Sequence, residues 1–234
     1  GIARCADARF AVVTPTHQSP LGVSLSLPRR LALLDWASRQ GSWIIEDDYD
    51  SEYRYQGRPL PALKSLDQQG RVLYTGTFSK VLFPGLRLAY LVVPQAQSDA
   101  FARQADRLHN HCPQLLQATV SAFLYEGHFA RHLKKMRTLY ARRRQWLVDA
   151  LQQQFGEQLS INLQAGGMHL IAGLSEGDDV ELAQRARAIG LAVEPLSQWY
   201  LEARSRHGLV LGFTNIASAE QAAAVALRLA QVIT

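Results

Sequence analysis

Cysteine is scarce in this 234-residue chain: only Cys5 and Cys112 occur, far apart in sequence. A disulfide framework is therefore not expected, and a reducing cytoplasm is the natural setting. No apolar run approaches the roughly 20 residues that a membrane-spanning helix needs. Residues 1–10 carry Arg4, Asp7 and Arg9, which excludes the layout of a signal peptide. The missing initiator Met, directly ahead of a strand-like segment, reads as a portion of a longer protein. Internal repeats and low-complexity segments are also lacking, which leaves no case for a solenoid or a disordered tail. His109, His111, His128 and His132 have no zinc-like spacing, so no metal site is expected. Charge imbalance is small, with 25 basic against 20 acidic residues and a net +5. That balance alone makes no case for nucleic acid.

What is present is an ordinary globular composition, 47% hydrophobic and 19% charged, in a chain long enough to bury a full core. Short apolar runs at 10–14, 43–45, 72–75 and 88–93 read as buried strands, and an amphipathic stretch at 29–40 places Leu31, Leu34, Trp36 and Ala37 inward. This alternation predicts a mostly parallel sheet covered on both faces by helices. Segments 97–110 and 114–125 read as helices, and a helical spacing then runs from Phe129 to about Gln154. That long helix, next to Phe155-Gly156, is the expected connector into a smaller α+β domain. The smaller domain has strand-like runs at 159–163, 168–172, 191–193 and 209–213, and helices at 179–189 and 218–232. The expected organisation is thus a large domain over 1–127, a connecting helix over 128–154 and a small domain over 155–234.

In open α/β sheets, ligands bind outside the carboxyl ends of strands. Three loops leave strands in that way: one with His17, Gln18 and Ser19, one with Asp47, Asp48 and Tyr49, and one with Thr77, Ser79 and Lys80. Arg87 stands seven residues beyond Lys80. Taken singly, each has a plain structural role. Lys80 reads as a solvated loop residue, Asp47 and Asp48 as a helix cap or metal pair, Thr77 and Ser79 as caps, and Arg87 as surface. Together they supply an amine, a carboxylate, a phenol, hydroxyls and a guanidinium. That set suits a phosphorylated pyridine aldehyde: the amine forms an imine, the carboxylate keeps the ring nitrogen protonated, and the others hold the ring oxygen and phosphate.

The residues Pro15-Thr-His-Gln-Ser-Pro-Leu-Gly22, Ile44-Ile-Glu-Asp-Asp-Tyr-Asp-Ser-Glu-Tyr-Arg-Tyr55 and Gly76-Thr-Phe-Ser-Lys-Val-Leu-Phe-Pro-Gly-Leu-Arg87 carry a family resemblance. With Gly127-His-Phe-Ala-Arg-His132, Gly166-Gly-Met-His-Leu170 and Leu209-Val-Leu-Gly-Phe213, they resemble the fold-type I, aminotransferase-like module of the MocR subfamily of GntR-type transcription regulators. The resemblance covers essentially the whole chain. It implies pyridoxal 5'-phosphate (PLP) as cofactor and Lys80 as the Schiff-base lysine. It further implies Asp47 at the pyridine nitrogen, Tyr49 at the ring hydroxyl, and Thr77, Ser79 and Arg87 at the phosphate. A small amine or amino-acid effector, a homodimer and DNA reading through a winged helix-turn-helix domain missing from this chain are implied as well. Two departures bear on catalysis. Ser19 stands where aminotransferases carry an asparagine, and Val210 where they carry the arginine that grips a substrate carboxylate. Both favour an effector sensor over an active class I/II aminotransferase, and an interaction domain that has lost PLP is the third reading. The basic run Arg131, Lys134, Lys135, Arg137, Arg142, Arg143 and Arg144 reads as the solvated face of the long helix, with a DNA-facing surface as the other reading.

Overall fold

The computed structural model describes residues 5, 7–109, 113–201 and 206–233. Arg4, His111 and Cys112, named above, lie outside the described residues, as does the side chain of His109. The chain divides into two compact units. The first takes in residues 1–19, 23–52 and 58–133, and the second takes in 20–22, 53–57 and 134–234.

The first unit is built on a four-stranded sheet of β1 (Phe10–Val13), β2 (Trp43–Asp48), β3 (Val72–Thr77) and β4 (Ala89–Val92), in that spatial order. The first three are parallel and β4 runs antiparallel to β3. Between β1 and β2 lies α1 (Leu27–Gln40), with Pro28 in its first turn, where a missing N–H is harmless. Gly41 ends it in the left-handed conformation at φ 66°, its N–H returning to the carbonyls of Ala37 and Ser38. The buried face of α1 is Arg30, Leu33, Trp36 and Ala37, which pack with Ile44, Leu63 and Val72. Leu31, expected to face inward, is 50% exposed; the buried stripe runs one position earlier, through Arg30. Arg30 is tolerated there because its guanidinium donates to the carbonyls of Leu25, Pro61 and Pro15. Glu46, fully buried in β2, accepts from the amides of Leu63 and Lys64 at 2.7 Å each. Arg30 thus ties α1 to the loops at Pro15, Leu25 and Pro61, and Glu46 ties β2 to the turn at Leu63 and Lys64.

The strand at 88–93 was expected to be buried on both sides. As β4 (Ala89–Val92) it is an edge strand, paired with β3 alone among the described residues, and its side chains are exposed at every position. At the opposite edge, Phe10 and Val12 of β1 are 56% and 69% exposed. The helices α2 (Phe78–Val81), α3 (Ser98–His109) and α4 (Gln114–Tyr125) complete this unit, and α5 (His128–Phe155) begins in it.

In the second unit, β5 (Leu159–Asn162), β6 (His169–Leu174), β7 (Glu194–Pro195) and β8 (Gly208–Gly212) form an antiparallel sheet in the order β5-β6-β8-β7. Its core joins Leu147, Leu151 and Phe155 of α5 to Leu170, Ala172, Leu209, Leu211 and Phe213 of the sheet. Residues of α6 (Asp179–Ala188) and α7 (Ala219–Ile233) close the same core. Residues 191–193 are not a strand as expected: the amides of Leu191 and Val193 bond locally to Ala186 and Leu191, and the strand is the two-residue β7 just after them. The basic run on α5 divides. Arg143 donates to the Thr214 carbonyl, and Arg144 donates to Gln164 while its guanidinium lies 4.4 Å from the centre of the Tyr55 ring. Lys134, Lys135, Arg137 and Arg142 remain on the exposed face.

Candidate functional site

The parallel register sets Val13 beside Glu46, and Asp47 and Asp48 beside Thr75 and Gly76. The carboxyl ends of β1, β2 and β3 are therefore neighbours, and the three predicted loops leave the sheet together. Strand alternation separates the two aspartates. Asp48 is spent on structure, accepting from Tyr74 at 2.7 Å and Ser51 at 2.8 Å. Asp47 faces the other way, exposed, with the Thr75 hydroxyl 3.5 Å away. The two do not form a metal pair, and among the described residues no group of three potential ligands comes together. Partial burial, aided by the nearby charges of Asp48 and Asp50 and opposed by Thr75, raises the Asp47 carboxyl above the ordinary range. A cationic partner would relieve that shift.

Tyr49 follows the end of β2. Burial, with the negative charge of Asp50, pushes its phenol well above the ordinary value, so it is a neutral hydrogen-bonding group. The Ser19 hydroxyl is one of its partners, and Nδ1 of His17 is another at 3.1 Å. The same nitrogen lies 3.1 Å from Asp50, which is 2% exposed. The histidine loop is anchored by Gln18 N–H to Val23 and Leu25 N–H to Pro15.

Thr77 ends β3 and caps α2, accepting from the amide of Ser79 at 3.1 Å. Ser79 and Lys80 sit on that one-turn helix, with Lys80 exposed. The helix is pinned beneath by Val81, 2% exposed, whose carbonyl accepts from Nε2 of His132, and by Phe78 packed edge-on against Phe129. Arg87 follows the turn Pro84–Leu86 and is the only non-glycine described residue with positive φ, at 49°. Its guanidinium is exposed and makes no ion pair or hydrogen bond among the described residues. Strained, unpaired residues of this kind concentrate at functional sites.

Thr75, His17 and Asp50 carry no assigned role in the sequence reading, yet they hold Asp47 and Tyr49. The Thr75 contact follows from β2–β3 register, which no short motif displays. Val210, in β8, pairs with Ile171 and Glu194. Arg206 is exposed just ahead of that strand.

A mixed sheet with a site at its carboxyl ends, and a second, antiparallel unit, is the fold-type I PLP-transferase architecture. The chain belongs to the aminotransferase class I and II family, whose model matches residues 2–210. It is 41% identical over 209 residues to the "Probable rhizopine catabolism regulatory protein MocR" of Rhizobium meliloti, a match covering 89% of this chain and 42% of that protein. It is also 31% identical over 213 residues to aromatic-amino-acid aminotransferase 1 of Thermococcus litoralis, covering 89% and 50% of the two chains. The crystal structure of kynurenine aminotransferase from Pyrococcus horikoshii, in complex with pyridoxamine phosphate, superposes with a TM-score of 0.84 at 29% identity, over 96% of this chain and 56% of that one. The chain is thus an aminotransferase-like domain similar both to MocR-type regulators and to aminotransferases. It spans about half the length, or less, of these relatives.

Proposed function

We propose that this chain is the effector-sensing, PLP-binding part of a MocR-type transcription regulator. The observation that carries the reading is the grouping of Asp47, Tyr49, Thr77, Ser79, Lys80 and Arg87 at adjoining strand ends and turns, combined with Val210 in β8. The residues present fit PLP. Bound there, the cofactor would supply an aldehyde for reversible capture of amines and a ring that withdraws electrons. Lys80 would hold it through its amine and Asp47 through the ring nitrogen, where a protonated nitrogen offsets the raised carboxyl. Tyr49 would donate to the ring oxygen, and Thr77, Ser79 and Arg87 would hold the phosphate. Val210 offers no bidentate grip on a substrate carboxylate, which weakens the positioning that sustained transamination needs.

The effector is then a small amine or amino acid, and DNA is read by a domain outside this chain. A homodimer in the cytoplasm completes the proposal; among the described residues no helix is long and apolar enough to cross a membrane. The second reading, a working aminotransferase, is favoured by the similarity to enzymes of that class. Titration with PLP tests the first reading: an absorbance band of bound cofactor should form and disappear in Lys80→Ala. Amino donors should then change the spectrum without accumulating oxo acid. Sustained product formation with an oxo-acid acceptor would establish the enzyme instead, and no binding at all would leave only a fold without its cofactor.

A further inference from the structure

We infer that His17 and Asp50 form a positioning pair that fixes the direction in which Tyr49 donates its phenolic proton. The inference deepens the cofactor reading above and rests on it.

Nδ1 of His17 lies 3.1 Å from both carboxylate oxygens of Asp50 and 3.1 Å from the Tyr49 hydroxyl. His17 is 7% exposed and Asp50 is 2% exposed. A nitrogen lone pair and a carboxylate at that distance in a buried site would repel, so the proton between them sits on Nδ1. With Nδ1 a donor, Tyr49 cannot give its own proton to the histidine. Its oxygen instead shares that N–H as a second acceptor beside Asp50, and it has the Ser19 hydroxyl as a further partner that favours negative charge on the phenol oxygen. With its oxygen so occupied, the phenolic O–H is directed away from His17 and toward the face where a ligand's ring oxygen would be met. Without His17, Asp50, the charge with the largest effect on this phenol, is left as an acceptor one residue along, and the phenol would turn its proton inward. Asp47 and Asp48 are the other charges acting on this phenol. They add to the larger effects of burial and Asp50 in keeping it neutral, and they accept no hydrogen bond from it among the described contacts. His17 is therefore a positioning residue, and Tyr49 the group that meets the ligand.

Two measurements test this. In the ligand-free chain, nitrogen NMR of His17 should show the proton on Nδ1, and Asp50→Asn should abolish that preference. In the PLP-loaded chain, a phenol donating to the ring oxygen favours the deprotonated chromophore. The pH midpoint of the bound cofactor's absorbance should accordingly rise by about one unit in His17→Phe and in Tyr49→Phe. The double variant should rise no further. His17→Asn, which keeps an N–H near the place of Nδ1, should stay close to the parent. A midpoint unmoved by His17→Phe, in protein with parental circular dichroism, would overturn the inference. Failure of the parent to bind PLP defeats the cofactor reading instead, and the tautomer then decides: a proton found on Nε2 alone overturns the pair.

Discussion

Asp179, at the start of α6, shows how one enclosed side chain holds the second unit together. It is fully buried and accepts from the Ser197 amide at 2.8 Å, the Gly208 amide at 2.9 Å and the Ser197 hydroxyl, with His207 at 3.3 Å. Burial alone would raise its carboxyl, but these donors outweigh it and hold the group below the ordinary range. A carboxylate with a depressed folded value stabilises the fold fully above the unfolded value of about 4 and loses that contribution as pH falls through the folded one. Asp179→Asn should cost about 2–4 kcal/mol at neutral pH and flatten the loss of stability below pH ~4, measured by urea unfolding across pH. Nothing in the local sequence announces this residue, because its donors arrive from 18 and 29 positions away. Lys80 and Asp47 were legible for the opposite reason. Each sits in a contiguous motif just beyond an apolar run, so sequence alone places it at a strand end. The support beneath Tyr49 was not legible, since His17 and Asp50 meet across 33 positions.

Among the elements, helices were read most fully: α4 spans the predicted 114–125, and α7 and α5 differ from the reading by a residue at either end. Their signal is periodic and local. Strands were less secure, because whether a short apolar run is central or marginal depends on its neighbours across the sheet. Thus β4 was read as buried and is an edge, while Leu191 and Val193 pack into the core through turn-like bonding. Against backbone atoms, the tightest point in the second sheet is Gly208 at the start of β8. A Cβ there would lie 2.8 Å from the Ala172 carbonyl and 3.2 Å from the Gly173 Cα, both backbone atoms that cannot swing aside. Gly208→Ala should therefore destabilise by about 1–3 kcal/mol, seen as a lowered urea midpoint. By contrast, Gly76→Ala would press on the outer end of the Tyr90 ring. Its cost should largely vanish in a Tyr90→Ala background, and a cost unchanged there would refute the stated contact.

For the whole molecule, the two sheets differ in how completely they are enclosed. The second has a continuous core of helices and strands, whereas the first leaves Phe10, Val12, Leu91 and Val92 at its margins 44–69% exposed. Unpaired, apolar sheet edges are templates for association, and a net charge of +5 opposes it weakly. Sedimentation velocity on this chain should show association that grows with concentration, and Val12→Lys with Leu91→Lys should reduce it. A monomer at every concentration would contradict the prediction. The architecture itself was legible from the order of strands and helices together with the family resemblance. The exposure at its margins was not, since composition reports how much apolar surface exists and not where it lies.

The left-handed backbone at Arg87 sets stability against ligand affinity at one position. Glycine there would adopt the same φ freely, so Arg87→Gly should make the ligand-free chain more stable by about 1 kcal/mol. The same replacement removes a guanidinium that has no partner among the described residues and would sharply weaken affinity for a phosphorylated ligand. Stability and the proposed anion contact therefore pull the choice of residue at this turn in opposite directions.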